Sequence, residues 1–421
     1  MSSPRAIFFL PAFVLFSCVR ATSTPLPAPD AGAPASLALV SLAASRTLAD
    51  CTVQVPAATP CRITVAPPVR EIDRRLGAGS VAAWGAADTL NVAFRASTDS
   101  VSDVEAGGGL QLPMSRIAGT SLWILSLRIP GADSGVVRLE VYETTGRAMR
   151  VDTSVREWRG PRAPERPRRA VALAGTQRVD SLWSDALHAW RRVTVYLPPG
   201  HGRERIPVVY FTDGQNVKDF ARLVDPLIVS GALPPVALVG VWVTYGSPRG
   251  GPPTGPSDDL RTIEYLGGST SLPGADSAFV AARYQGAKLF FTEEVRRWAE
   301  DSLHVSTDRR WRAVQGSSSG ALYALLLGRE RTDLYGLVIA NSTGPRDAFL
   351  GPAAGWSTAP PHYLSAGVLE AAPARALRGI GDSLSAHGVP NVVNIYPSGH
   401  DYTVWTEELP RALRWWLQQR R

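Results

Sequence analysis

Apolar and polar positions along this chain follow two different rhythms. Over residues 50–150 the runs CRITVAP, DTLNVAFRA, SLWILSLRI and VVRLEVYET are short, rich in β-branched and aromatic residues, and separated by turn-forming residues. No stretch between them sustains a helical stripe, so a small all-β sandwich over 45–152 is predicted. Residues 153–170 are charged, proline-rich and aperiodic, the pattern of a linker. Beyond them the runs RRVTVYLPP, IPVVYFTDG, VALVGVWVT, RWRAVQG, YGLVIANS, PHYLSAG and NVVNIYPSGH alternate with helix-patterned segments at 279–303, 320–329, 373–387 and 403–419. Strand and helix in alternation predict an α/β domain over 171–421, a doubly wound and mostly parallel sheet covered on both faces. Such sheets carry their chemistry in the loops at the carboxyl ends of their strands.

The amino-terminal stretch MSSPRAIFFLPAFVLFSCVRATS has one arginine before an apolar run over 6–16, the length of a secretory signal and too short to span a bilayer. A signal over 1–19 is expected, followed by a Pro/Ala-rich spacer over 20–40. The run ends in LFSC, which resembles a bacterial lipoprotein cleavage box. Lipidation of Cys18 would tether the protein to a membrane; otherwise Cys18 leaves with the signal. Cys51 and Cys61, in CTVQVPAATPC, are expected to close a disulfide in an oxidising compartment, the alternative being two buried thiols. These features predict an extracytoplasmic bacterial protein, periplasmic, secreted or membrane-anchored.

Composition narrows the classes. Hydrophobic residues make up 45% of the 421 and charged residues 19%, so a folded core is expected. Lys plus Arg number 44 against 37 Asp plus Glu, for a net charge of +7, but the basic residues gather in loops such as REWRGPRAPERPRR at 156–169. A nucleic-acid partner is therefore not expected. The chain has no H-E-x-x-H, no C-x-x-C and no G-x-x-x-x-G-K, and neither a metal nor a cofactor is expected.

One segment joins the rhythm to chemistry. In RRWRAVQGSSSGALYALLLG, a G-x-S-x-G at 316–320 lies between a strand pattern and a helix pattern. This is the context of a nucleophile elbow, in which a serine sits on a strained strand-to-helix turn. Ser318 is the candidate nucleophile, and the Ser319 amide at the helix start is a candidate oxyanion donor. A serine needs a base. Of the six histidines, only His400 directly follows a strand run, in the loop SGHDYTVW after the last strand. His387 reads as a helix cap, His304 as a helix end, His188 and His201 flank the first strand, and His362 opens a strand at its wrong end. For the acid, Glu370 follows the strand HYLSAGVL. Asp382 lies within a helix pattern, and Asp401 sits beside the histidine with helix capping as its other role. A second oxyanion donor is expected at Gly214 or Gln215, after the Asp213-Gly214 turn, where Asp213 ties down the loop or faces substrate. Trp356 and the Gly/Pro-rich loops 246–257 and 342–361 are candidates for shaping the pocket.

Four stretches, RRVTVYLPPG at 191–200, YFTDGQN at 210–216, VQGSSSG at 314–320 and SGHDYTVW at 398–405, resemble the α/β-hydrolase esterases related to enterochelin esterase, a group that includes feruloyl-type esterases. LRTIEYL at 260–266 is similar to that family's Arg-x-x-Glu-Tyr segment, which adds Arg261, Glu264 and Tyr265 as pocket candidates. AGVLE ending at Glu370 resembles its Gly-x-x-Glu, whose carboxylate is the triad acid. The chain departs from many relatives in closing the elbow with Gly320-Ala321 rather than two glycines. Residues 70–150 resemble, in order and β pattern, that family's immunoglobulin-like amino-terminal module, which implies a module that borders the active-site cleft or binds substrate. The resemblance implies a serine carboxylic-ester hydrolase acting on a small-molecule or glycan-linked ester such as a siderophore, feruloyl or acylated-glycan ester. An acyltransferase using the same residues and a non-catalytic glycan-binding surface protein are the alternatives.

Overall fold

A computed structural model describes residues 48–202, 204–267, 272, 274–343 and 358–418. The expected signal, the spacer, Cys18 and Trp356 lie outside the described residues.

The carboxyl-terminal part is built on eight strands, β1 (Thr176–Ser184), β2 (Ala189–Leu197), β3 (Val208–Phe211), β4 (Ala237–Val241), β5 (Arg312–Ser317), β6 (Leu337–Asn341), β7 (His362–Gly367) and β8 (Asn391–Tyr396). Their order across the sheet is β1-β2-β4-β3-β5-β6-β7-β8. The first hairpin and the β2–β4 pair are antiparallel; every other pair is parallel. This is the α/β-hydrolase fold. Period-two alternation feeds two cores. In β3, Val208 and Tyr210 join one hydrophobic cluster and Val209 and Phe211 the other. The helices α1 (Val217–Val229), α2 (Leu260–Leu266), α3 (Ser277–Leu289), α4 (Val295–Ser302), α5 (Ser319–Glu330), α6 (Ala371–Ala386) and α7 (Tyr402–Gln418) surround the sheet. Residues of α3 to α6 pack on the first face, and residues of α1 and α7 on the second.

Several elements differ from the sequence expectation. The single helix expected over 279–303 is α3 and α4 joined by a π-helical turn, Phe290–Glu294. Strand β1 was not anticipated, because as an edge strand it keeps most of TQRVDSLWS in solvent and carries little apolar signal.

The amino-terminal part forms three small antiparallel sheets. One contains Cys61–Arg62, Leu122–Arg128, Thr89–Arg95, Val81–Ala86 and Ser115–Arg116, and the second Ala148–Asp152, Val141–Thr145, Asp103–Ala106 and Leu112–Pro113. The third pairs Glu157–Arg159 with Val136–Arg138. Leu90, Phe94, Val104, Leu125, Leu127, Val141 and Trp158 meet in one core. A disulfide joins Cys51 to Cys61. The absence of helix expected here is corrected by Val69–Leu76, whose Ile72 and Leu76, one turn apart, pack on Ala93, Leu122 and Ile124. A helix of two turns directly after Pro67-Pro68 is too short to register as a stripe. VVRLEVYET is two strands, Val136–Arg138 and Val141–Thr145, in different sheets. The aperiodic stretch 153–170 contains Glu157–Arg159, whose Trp158 is buried in the module core, so part of it is structural rather than free linker.

Candidate functional site

Strand β5 lies between β3 and β6 near the middle of the sheet and turns directly into α5. A Cβ on Gly316 would overlap the Gly320 carbonyl, so strand and helix start approach as closely as only glycine permits. Between them Ser318 adopts φ 60° and ψ −129°, a left-handed-side conformation that L-residues avoid. Its N–H donates to the Asn341 carbonyl at 2.9 Å, fastening the turn to the end of β6. The neighbouring hydroxyls are occupied. Ser317 Oγ accepts from Gln315 Nε2 at 3.2 Å, and Ser319 Oγ accepts from Arg261 Nη1. Of the three serines, only Ser318 carries the strained elbow geometry.

The loop after β3 abuts this elbow, since a Cβ on Gly320 would meet the Thr212 hydroxyl and the Asp213 carboxylate. Asp213 has φ 52° and gives its N–H to the Tyr265 hydroxyl at 2.9 Å. Gly214 opens a 3-10 turn, Gly214–Asn216, pressed so closely on β4 that a Cβ would overlap the Gly240 carbonyl. The first amides of this turn and of α5, those of Gly214, Gln215 and Ser319 among them, have no intrahelical acceptor. Gln215 is itself held, its Nε2 donating to the Tyr245 hydroxyl at 2.7 Å.

The Arg-x-x-Glu-Tyr residues pack under this loop. Arg261 grips Asp213 with two bonds, Nε to Oδ1 at 2.7 Å and Nη2 to Oδ2 at 3.0 Å, and its guanidinium covers the Tyr265 ring. Burial pulls the Arg261 guanidinium down, and the Asp213 carboxylate more than offsets it. Glu264 is enclosed: it takes both terminal nitrogens of Arg191 at 3.0 Å and the Arg283 guanidinium. Tyr265 stacks on Tyr323 at 5.1 Å. Glu264 and Tyr265 line a small cavity together with Arg191, Phe290, Phe291 and Tyr323. Both are buried and spend their polar atoms on protein partners, and Asp213 with Arg261 forms the tie of the loop.

The candidate acid and base lie in the loops after β7 and β8. Glu370 follows β7 at the start of α6 and is buried. Its Oε1 lies 2.5 Å from His400 Nδ1, and its Oε2 accepts from the Ser342 hydroxyl at 2.6 Å and the Gly367 amide at 3.1 Å. Burial pushes this carboxyl up, but His400, Ser342 and the Gly367 amide together hold it below the usual carboxylate range. His400 follows β8 and meets the edge of Trp405 at 4.6 Å between ring centroids. Trp405 Nε1 in turn donates to Ser342 Oγ at 2.9 Å. Ser342 and Trp405 thus brace the pair, a role that no sequence pattern marked. Asp401 turns away from the ring and caps α7, accepting from the Thr403 amide at 2.8 Å. The other histidines lie apart from this arrangement: His362 is buried at the amino end of β7, where desolvation lowers it to about 4, and His387 bonds the Ser383 carbonyl at the end of α6. Among the described residues, no cluster of three or more His, Cys, Asp or Glu is arranged to hold a metal.

Residues 184–369 match the family model described as Putative esterase. No curated protein matches the chain. Among solved structures, the enterobactin esterase FES from Shigella flexneri, crystallised in the presence of enterobactin, superposes with a TM-score of 0.58 at 16% identity, covering 81% of this chain and 97% of that one. Ferric enterobactin esterase from Salmonella typhimurium gives 0.57 at 16% identity, with 86% and 97% covered. At this identity the likeness is one of fold.

Proposed function

We propose that the protein is a serine carboxylic-ester hydrolase working through an acyl-enzyme. The observation that carries this reading is the 2.5 Å contact between His400 Nδ1 and Glu370 Oε1, made by loops on the same sheet edge as the strained Ser318 elbow. With Nδ1–H held by the carboxylate, Nε2 is the basic nitrogen and takes the proton as Ser318 Oγ attacks the ester carbonyl. Amides at Ser319 and at Gly214 or Gln215 receive the oxyanion. Collapse breaks the ester bond, the alcohol leaving with the proton from His400. Water then attacks the acyl-serine by the same route, and Glu370 stays ionised throughout.

The substrate class is a small-molecule or glycan-linked ester, with siderophore, feruloyl and acylated-glycan esters as the candidates to assay. We read the amino-terminal sheets as an immunoglobulin-like module. The protein is read as an exported bacterial one, periplasmic, secreted or tethered through Cys18, and the Cys51–Cys61 disulfide supports an oxidising compartment. The test is turnover across these esters together with intact-mass detection of a fluorophosphonate adduct. Ser318→Ala is expected to abolish both while leaving the fold intact. Unchanged turnover refutes the assignment, an excess of transfer over hydrolysis products identifies an acyltransferase, and a wild-type protein that takes no label is a binding protein.

A further inference from the structure

The amino-terminal module sits against both loops that carry His400 and Glu370. Its contact surface is the run AGGGL at 106–110 together with the strand end at Arg138. A Cβ on Gly109 would overlap the Asp401 carboxylate, a Cβ on Gly399 would overlap the Gly109 carbonyl, and a Cβ on Gly135 would press on the Pro397 carbonyl. Backbone therefore meets backbone just before the histidine, at Pro397 and Gly399, and module backbone meets the Asp401 side chain just after it. Asp401 closes the contact. Its Oδ2 accepts from the Arg138 backbone N–H at 2.7 Å and the Ser398 hydroxyl at 2.8 Å, and its Oδ1 from the amides of Thr403 at 2.8 Å and Val404 at 3.3 Å. On the acid side, Val368 and Leu369, immediately before Glu370, pack against the module core, and the Leu369 N–H reaches the Ser398 carbonyl at 3.0 Å.

We propose that the module is the seat that holds His400 and Glu370 in register, and that Asp401 is the positioning residue through which it acts. Only residues 397–401 separate β8 from α7, and a loop that short, left without partners, retains backbone freedom that catalysis cannot tolerate. One carboxylate joins a strand end of the module, the loop serine and the first turn of α7. The side chain has to be a carboxylate, since all four partners are donors and an amide would turn its NH2 toward at least one of them. Burial pushes this carboxyl up, against the pull of its hydrogen-bond donors.

The proposal rests on the Ser318, His400 and Glu370 reading. Full-length Asp401→Asn and Gly109→Ala are compared with wild type, Ser318→Ala and the control Met149→Ala, which lies on the exposed strand Ala148–Asp152. Rates are taken per folded molecule, the folded fraction coming from the thermal transition. Two esters of one acyl group are used, with nitrophenolate and alkoxide leaving groups. For Asp401→Asn and Gly109→Ala, kcat is expected to fall about 10- to 100-fold with KM nearly unchanged. The loss should be larger on the alkyl ester, since an alkoxide needs the proton His400 delivers and a nitrophenolate does not. If Gly109→Ala does not fold, Asp401→Asn, which keeps size and shape, carries the test. Wild-type kcat in folded Asp401→Asn, or an equal loss on both esters, overturns the seat while leaving the esterase reading in place. Turnover that survives in Ser318→Ala strikes the esterase reading itself.

Discussion

Replacing Glu370 by glutamine exchanges one oxygen for NH2 and removes one charge, and the surrounding hydrogen bonds decide which way the amide turns. Oε2 accepts two donors, the Ser342 hydroxyl and the Gly367 amide, so the NH2 of glutamine is better accommodated toward His400. There it donates to Nδ1 and drives the imidazole proton onto Nε2, the nitrogen that accepts the proton of Ser318 in the proposed mechanism. The charge is lost as well. An imidazolium about 4 Å from a carboxylate gains about 4 kcal/mol at an effective dielectric of 20. At about 1.4 kcal/mol per decade, that is roughly three decades in rate. With the tautomer penalty added, kcat on a nitrophenyl ester is expected to fall about 10³- to 10⁴-fold with KM nearly unchanged. The assay is steady-state hydrolysis near neutral pH by protein whose cooperative thermal transition shows it folded. A kcat within about tenfold of wild type would refute the reasoning, since neither the charge nor the tautomer would then matter.

Glu264→Gln leaves Arg191 and Arg283 without their buried carboxylate and is expected to lower stability by about 3–5 kcal/mol, read as a lower urea midpoint; an unmoved midpoint contradicts the structural role given to this residue. Glu293 provides a pH test: burial pushes its carboxyl up, but Arg331 and Arg296 pull it below the ordinary value. The unfolded chain therefore binds the proton first as pH falls. The stability Glu293 contributes is complete above its ordinary value of 4.5 and is lost as pH drops through the lowered folded value. The difference in urea stability between wild type and Glu293→Gln should shrink across that window, and a difference that grows on acidification contradicts the sign.

How much of the site could be read from the sequence depended on how local its signals are. Ser318 was marked by glycines on both sides and by a strand and a helix directly adjoining it. His400 and Glu370 each follow an apolar run, so their place at strand ends was legible too. The support that Ser342 and Trp405 give them was not, because those two meet across 63 positions of chain. The enclosure of Glu264 was not legible for the same reason: its partners, Arg191 and Arg283, lie on other elements.

By itself the sequence determined the alternation of strands and helices, the amino-terminal β region and the strained serine turn, because hydrophobic period and glycine placement act over a few residues. Only the tertiary structure decided that Tyr265 supports the Asp213 loop, that Trp158 belongs to the module core, and that Arg138 meets Asp401 across 263 positions. Those contacts depend on how finished elements pack, and two surfaces that meet only after folding leave no periodicity in either segment.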